Sequence, residues 1–228
     1  SGVSNTVGNI PSTVSANTTA GFSIVSFTGT GANATVGHGL GTAPKFMVIK
    51  SRTTAEPWLT YHGSLGGTQY LFLNQTSQAN SNIAYFNNTD PTSTVFSLGN
   101  SAAGNTNAAN YIAYCFAPVE GYSSFGSYTG NGSTDGPFVY LGFRPKYLMI
   151  KRTNVADAWA IKDTARNTYN VDDSVLKANE ATAESTSIYW NIDILSNGFK
   201  LRNLGSTFNN NGGNYIYMAF AENPFKNS

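Results

Sequence analysis

The sequence predicts an all-β protein made of two tandem homologous β-sandwich repeats, jelly-roll-like, of about 100 residues each. Three observations carry that prediction. Short apolar and aromatic runs are punctuated by Gly, Asn and Pro turns. Charged residues are only 11% of the 228-residue chain, against roughly 25% in ordinary soluble proteins. Asn, Ser and Thr, roughly a third of the residues, take their place. The Leu, Glu and Lys that clothe helices are scarce. Above all, the chain repeats itself. Phe27-Thr28-Gly29-Thr30-Gly31 returns as Tyr128-Thr129-Gly130-Asn131-Gly132, and Pro44 to Lys50 returns as Pro145 to Lys151. The offset is about 101 residues, the size of one small β domain.

Each element follows in order. Residues 1–20 are polar without periodicity and read as an arm or linker. The first repeat spans 21–120. Its run Phe46 to Ile49 is continuously apolar, the pattern of a strand buried on both faces, and Pro44 precedes it where a missing N–H costs little. Tyr70-Leu71-Phe72-Leu73 and Val95-Phe96-Ser97-Leu98 are further strands. After a Gly- and Ser-rich join, the second repeat spans 121–228, with strands over Tyr147 to Ile150 and Tyr215 to Met218. Gly66-Gly67, Asn88 to Pro91, Asn131-Gly132 and Asn210 to Gly213 supply turns. Only Asp172 to Ala183 has the composition for a helical turn. Trp58 and Trp159 stand at matching positions and are expected in or near the two cores.

Several functions are argued against by composition. The formal charge is +1 and the 13 Lys and Arg are dispersed, so no nucleic-acid partner is expected. No apolar run approaches a membrane span, and no signal-peptide pattern opens the chain. Cys115, the lone cysteine, lies in an apolar run and reads as a buried, inert thiol. Glycoside hydrolysis needs two facing carboxylates. Glu120, Asp135, Asp157, Asp163, Asp193 and Glu222 form no paired motif and read as turn or surface acids. His38, among glycines, and His62, at a strand end, have no second ligand at metal spacing and no triad setting. No catalytic residue, metal or cofactor is expected.

Residues shared by both repeats are explained by the shared fold. A site special to this protein should sit where the copies differ. The loops bearing Tyr169, Tyr189, Trp190, Asn209, Asn210 and Asn211 combine aromatics with amides. Aromatic faces stack on sugar rings, and amides match the donor and acceptor needs of hydroxyls. These six are the candidate ligand-binding residues.

Val14 to Val25, Val36-Gly37-His38-Gly39-Leu40-Gly41, Gly121 to Gly132 and Gly142-Phe143-Arg144-Pro145-Lys146 also resemble, as strings, a group of tailed-phage virion proteins. Many come from marine and cyanobacterial phages and are labelled tail fibre or tail proteins. The resemblance runs from about Val14 to Phe225 and transfers no functional residue. It implies a place on the virion surface, host contact, other virion proteins as partners, and a homo-oligomer, a trimer by analogy with tail fibres. The expected function is a non-enzymatic receptor-binding module for a host cell-surface glycan. The alternatives are a structural capsid-decoration or fibre-building protein and, more weakly, a glycan depolymerase.

Overall fold

A computed structural model describes residues 2–224, so Ser1 and the end of the second repeat, 225–228, lie outside the described residues. The chain divides into two compact units. Unit 1 comprises Ser1–Leu73 and Ala79–Val119, and unit 2 comprises Asn74–Gln78 and Glu120–Ser228.

Unit 1 contains β1 (Val3–Asn5), β2 (Ser12–Asn17), β3 (Phe22–Thr28), β4 (Ala34–Gly37), β5 (Phe46–Ser51), β6 (Leu59–His62), β7 (Gln69–Phe72), β8 (Asn80–Ser81), β9 (Val95–Leu98) and β10 (Asn110–Phe116). One-turn helices α1 (Ile83–Phe86) and α2 (Ala102–Asn105) flank β9. The large sheet runs β1-β2-β3-β10-β5-β6-β7-β8, and β4 pairs with β9 in a second layer. Val25, Met47, Ile49, Tyr111 and Ala113 from the large sheet meet Ala34, Val36, Phe96 and Leu98 from the small one in a single core.

Unit 2 contains β11 (Ser123–Thr129), β12 (Phe138–Tyr140), β13 (Pro145–Arg152), β14 (Trp159–Asp163), β15 (Ser174–Lys177), β16 (Ser185–Thr186), β17 (Ile192–Leu195), β18 (Gly198–Leu201) and β19 (Asn214–Ala221), with α3 at Ser206–Asn209. Its large sheet runs β11-β19-β13-β14-β15-β16 and its second layer β12-β18-β17. Leu148, Ile150, Ala160 and Tyr217 face Val139, Ile192, Ile194, Phe199 and Leu201 across the core. The protein is all-β and sandwich-like, and in both units the last strand is inserted within the large sheet, β10 between β3 and β5 and β19 between β11 and β13. Consecutive strands from β13 to β16 stay in one sheet as a meander, where a jelly roll's would alternate between sheets.

Three expectations are corrected. The polar N-terminal segment is not a free arm: β1 pairs with β2 and β2 pairs with β3 along six residues. Its periodicity was too short to see because only Ser12 and Val14 turn inward. Asp172 to Ala183 holds β15 and no helix, whereas one-turn helices occur at α1, α2 and α3 and a 3-10 turn at Ile188–Trp190. Trp159 is 1% exposed but Trp58 is 37% exposed, so only the former is a core residue. The continuous apolar run of β5 is buried at Phe46, Met47, Val48 and Ile49 alike, as expected of a strand covered on both faces.

Candidate functional site

The six expected residues lie on three segments, of which the Ile188–Trp190 turn and α3 are in contact. Tyr169 is 83% exposed on a loop fastened to β17 by Asn170, whose side-chain amide exchanges two hydrogen bonds with the Ile194 backbone. Tyr189 and Trp190 sit on the 3-10 turn capped by the Ser187 hydroxyl. Tyr189 is exposed, while Trp190 packs against the unit 2 core. Asn211 is exposed in a turn and Asn210 is half-buried. Among the described residues, no ring contact or hydrogen bond joins Tyr169 to Tyr189 or Trp190.

Asn209 is a correction. It is fully buried and structural. Its Nδ2 donates to Ser133 O at 2.8 Å, Asn203 O at 2.8 Å and Asn131 Oδ1 at 3.2 Å, and its Oδ1 accepts from Asn131 N at 2.9 Å. Both Nδ2 hydrogens are engaged, and the fully buried amide is out of a ligand's reach. Unit 1 holds the same device: Asn105 Nδ2 donates to Ala32 O and Gly99 O, and its Oδ1 accepts from Thr30 N. The recurring Thr-Gly-x-Gly string is the other half of this lock. A Cβ on Gly29 would stand 2.3 Å from Thr106 O, and one on Gly130 2.4 Å from Asn210 O. Gly31 and Gly132 have φ of 73° and 63°, which glycine adopts without strain. Tyr111 and Tyr215 close it by donating to Ala102 O and Ser206 O.

The histidines are structural too. His38 is fully buried; its Nδ1 accepts from Leu40 N at 3.2 Å, so Nε2 carries the proton shared with Thr92 O at 3.1 Å. Burial pushes its pKa below the usual 6.5. The unfolded chain therefore takes up this proton first as pH falls, and stability is lost from about pH 6.5 downward. The unfolding midpoint is expected to fall between pH 7.5 and 5.5. In His38→Asn, whose Oδ1 can still accept from Leu40 N, that slope is expected to flatten; an unchanged slope would mean other groups govern it. Cys115 is buried and its thiol is pushed up to about 12, so it is inert. Among the described residues, no group of three His, Cys, Asp or Glu is placed to hold a metal.

A different surface meets the criterion that a site should lie where the units differ. It is the outward face of β12-β18-β17. Phe138 and Tyr140, alternate residues of β12, share one face while Val139 enters the core, and they are 45% and 67% exposed. Phe138 lies opposite Lys200, which lies opposite Asp193; Tyr140 lies opposite Gly198, which lies opposite Leu195. Only glycine fits opposite Tyr140, because a Cβ on Gly198 would stand 2.1 Å from Val139 O and 3.1 Å from the Phe138 ring. Polar groups rim them: Lys200 Nζ meets Asp135 Oδ1 at 2.8 Å, and Arg202 Nε meets Asp193 Oδ2 at 2.6 Å. The hydrogen bond and charge of Lys200 hold Asp135 below its ordinary pKa.

In unit 1 the equivalent face is covered. Val36 pairs with Phe96 as Val139 pairs with Phe199, so Thr35 and Gly37 stand where Phe138 and Tyr140 stand. Asn9 N and Ile10 N both donate to Thr35 O, and Ser12 Oγ donates to Gly37 O. A side chain on Gly37 would collide with Asn5 and Val7. Among the described residues, unit 2 has no counterpart of β1 and β2. Sequence reading missed Phe138 and Tyr140 because Phe-Val-Tyr looks like any core strand; two aromatics two apart, in one repeat only, were the available signal.

Other concavities are polar. One of about 460 Å³ in unit 1 is lined by Ser4, Thr13, Thr28, Arg52 and Asn110, and one of about 450 Å³ in unit 2 by Asn74, Thr76, Asn179 and Glu180. Neither contains any of the six expected residues. Among the described residues, no helix is long and apolar enough to cross a membrane.

Residues 1–224 match the family described as Domain of unknown function (DUF7483), and the chain belongs to that family. No curated protein and no solved structure matches it.

Proposed function

We propose that this chain is a phage virion surface protein and that unit 2 recognises a host cell-surface glycan without acting on it chemically. One observation carries the site: a sheet face that unit 1 covers with its own residues 5–12 is bare in unit 2 and bears Phe138 and Tyr140. Flat exposed aromatics rimmed by Lys200, Arg202, Asp135 and Asp193 suit a sugar, which offers a C–H face for stacking and hydroxyls for the rim. A non-hydrolytic role is supported by the ion pairs of Asp135 with Lys200 and of Asp193 with Arg202, which engage the carboxyls beside the rings. The low charge and the resemblance to tail proteins support the virion surface.

The test is binding of the purified chain to intact host cells and to glycan-stripped cells. Binding is expected only to intact cells, and Phe138→Ala/Tyr140→Ala is expected to weaken it at least about tenfold, as loss of central aromatic contacts does. Asn211→Ala is expected to change little. Undiminished binding by the double variant would remove this face from the proposal.

A second reading, a fibre-building or decoration role, is favoured by the edge of β12. The backbone groups of Phe138 and Tyr140 point away from β18 and have no partner among the described residues, whereas those of Thr35 and Gly37 are bonded. An open strand edge invites pairing with another chain. Antiparallel pairing with β12 of a second copy would set Phe138 against Tyr140. A light-scattering mass that drops to one chain in Tyr140→Pro, with cell binding absent throughout, would favour this reading over the first.

A further inference from the structure

We infer that Lys162 and Asp172 are a self-modification site, condensing to an intramolecular amide between Lys162 Nζ and Asp172 Cγ with release of one water. The pair lies within unit 2 and is independent of the glycan reading. Lys162 points from β14 into the core at a position where the first unit has Tyr61: Leu148 pairs with Lys162 as Met47 pairs with Tyr61. Tyr61 fills that place with a ring in edge contact with Phe86, and its hydroxyl donates to Asp90 Oδ1 at 3.3 Å. The sandwich therefore does not need a buried amine here, yet unit 2 buries both an amine and a carboxyl, with side chains 0% and 1% exposed. Burying an ion pair is expensive and seldom improves on apolar packing.

The geometry is that of a reactive pair. Nζ lies 3.3 Å from Oδ1 and 3.1 Å from the Asp172 carbonyl oxygen, so the amine is held against the carboxyl group it would attack. The Phe208 ring stands 5.5 Å from Nζ. The two carboxyl oxygens have different surroundings. Oδ1 accepts from Ser174 N at 3.0 Å as well as from Lys162, whereas Oδ2 is buried with no hydrogen-bond partner. The Asp172 backbone is fixed by paired bonds to Ile192, so the carboxyl group cannot swing away. Burial drives the lysine pKa down to about 8 and the Asp172 pKa up, which favours the uncharged amine and acid. Asp173 and Arg166 are the other charges acting on the pair.

The step balances without an oxidant or co-reactant. The ammonium proton passes to Asp172 Oδ2, giving a neutral amine and a carboxylic acid. The Nζ lone pair attacks Cγ while the Ser174 N–H stabilises the charge developing on Oδ1. The Cγ–Oδ2 bond breaks, and Oδ2 leaves as water carrying its own proton and one from Nζ. The product is a secondary amide in a dry core, where water is excluded from the reverse step.

Intact mass spectrometry of the full chain, purified folded and then denatured, tests this directly. The expected mass is one water, about 18 Da, below that of the sequence, and proteolysis should yield a branched peptide joining Lys162 to Asp172. Lys162→Met, close in volume and unable to condense, should restore the full mass, and Asp172→Ala should do the same. A folded wild-type chain that keeps its full mass after prolonged incubation overturns the inference, as does a deficit mapped to other residues. Because the wild-type mass needs no variant, misfolding of either substitution leaves the test intact.

Discussion

Asn209→Ala is expected to destabilise unit 2 by about 4 kcal/mol, a large value of the kind that follows when a buried polar network is broken. The substitution strips partners from Ser133 O, Asn203 O and Asn131 N, all of which the native amide serves from a fully buried position. Nothing apolar can replace those bonds. The thermal midpoint should fall by at least about 10 °C. Asn105→Ala should act similarly on unit 1, through Ala32 O, Gly99 O and Thr30 N. Asn211→Ala, exposed one turn away, should shift the midpoint by less than about 2 °C, within the range of ordinary surface changes. Equal effects at 209 and 211 would mean that the amide is not the lock the geometry describes.

The second large effect is expected at Lys151. Its side chain is fully buried, and Nζ donates to Asp157 O at 2.8 Å, Arg152 O at 2.9 Å and Thr76 O at 3.2 Å. Lys151→Met keeps the hydrocarbon and removes every donor, leaving three carbonyls to find water. A loss of about 3 kcal/mol is expected, reduced from the sum of three orphaned acceptors because a desolvated charge is removed as well. The segment Asn74–Gln78 should lose amide-exchange protection, since Thr76 O is one of the three acceptors. The pH dependence has a definite sign. Burial lowers the Lys151 pKa from 10.5 to about 8, so between those values the unfolded chain binds more protons and stability rises with pH. The gap between wild type and Lys151→Met should widen from pH 8 to 10.5. A constant gap would show that Lys151 does not titrate in that window.

Much of the fold was legible because each unit spends its apolar residues in short runs separated by strong turn formers. Phe46 to Ile49 and Tyr147 to Ile150 announced doubly buried strands, and β5 and β13 lie beside the closing strands β10 and β19. The Thr-Gly-x-Gly strings announced a shared feature, though its partner, the asparagine of α2 or α3, could not be paired with it from sequence. Asn209 was misassigned for that reason: an amide-rich loop looks like a ligand site until its counterpart Asn105 is seen in the same bonds. The burial of Lys151 and Lys162 has no local signature, because the groups that bind them, Thr76 O, Arg152 O, Asp157 O and the Asp172 carboxyl, follow no spacing pattern. Segment 1–20 was misread because a strand with two inward residues leaves almost no pattern.

The placement of the closing strands has a consequence for how the chain is made. β10 is the last strand of unit 1 to leave the ribosome, yet it lies between β3 and β5, and β19 likewise lies between β11 and β13. Until β10 emerges, β3 and β5 each keep one ladder edge open, and Tyr111 and Ala113 are missing from the core beside Val25 and Ile49. Folding of each unit must therefore wait for its final residues and then complete at once, by insertion of a strand between two that were translated long before. Such long-range closure is slow, and a nascent chain stalled just short of Asn110 or Asn214 would expose the very edges on which aggregation begins.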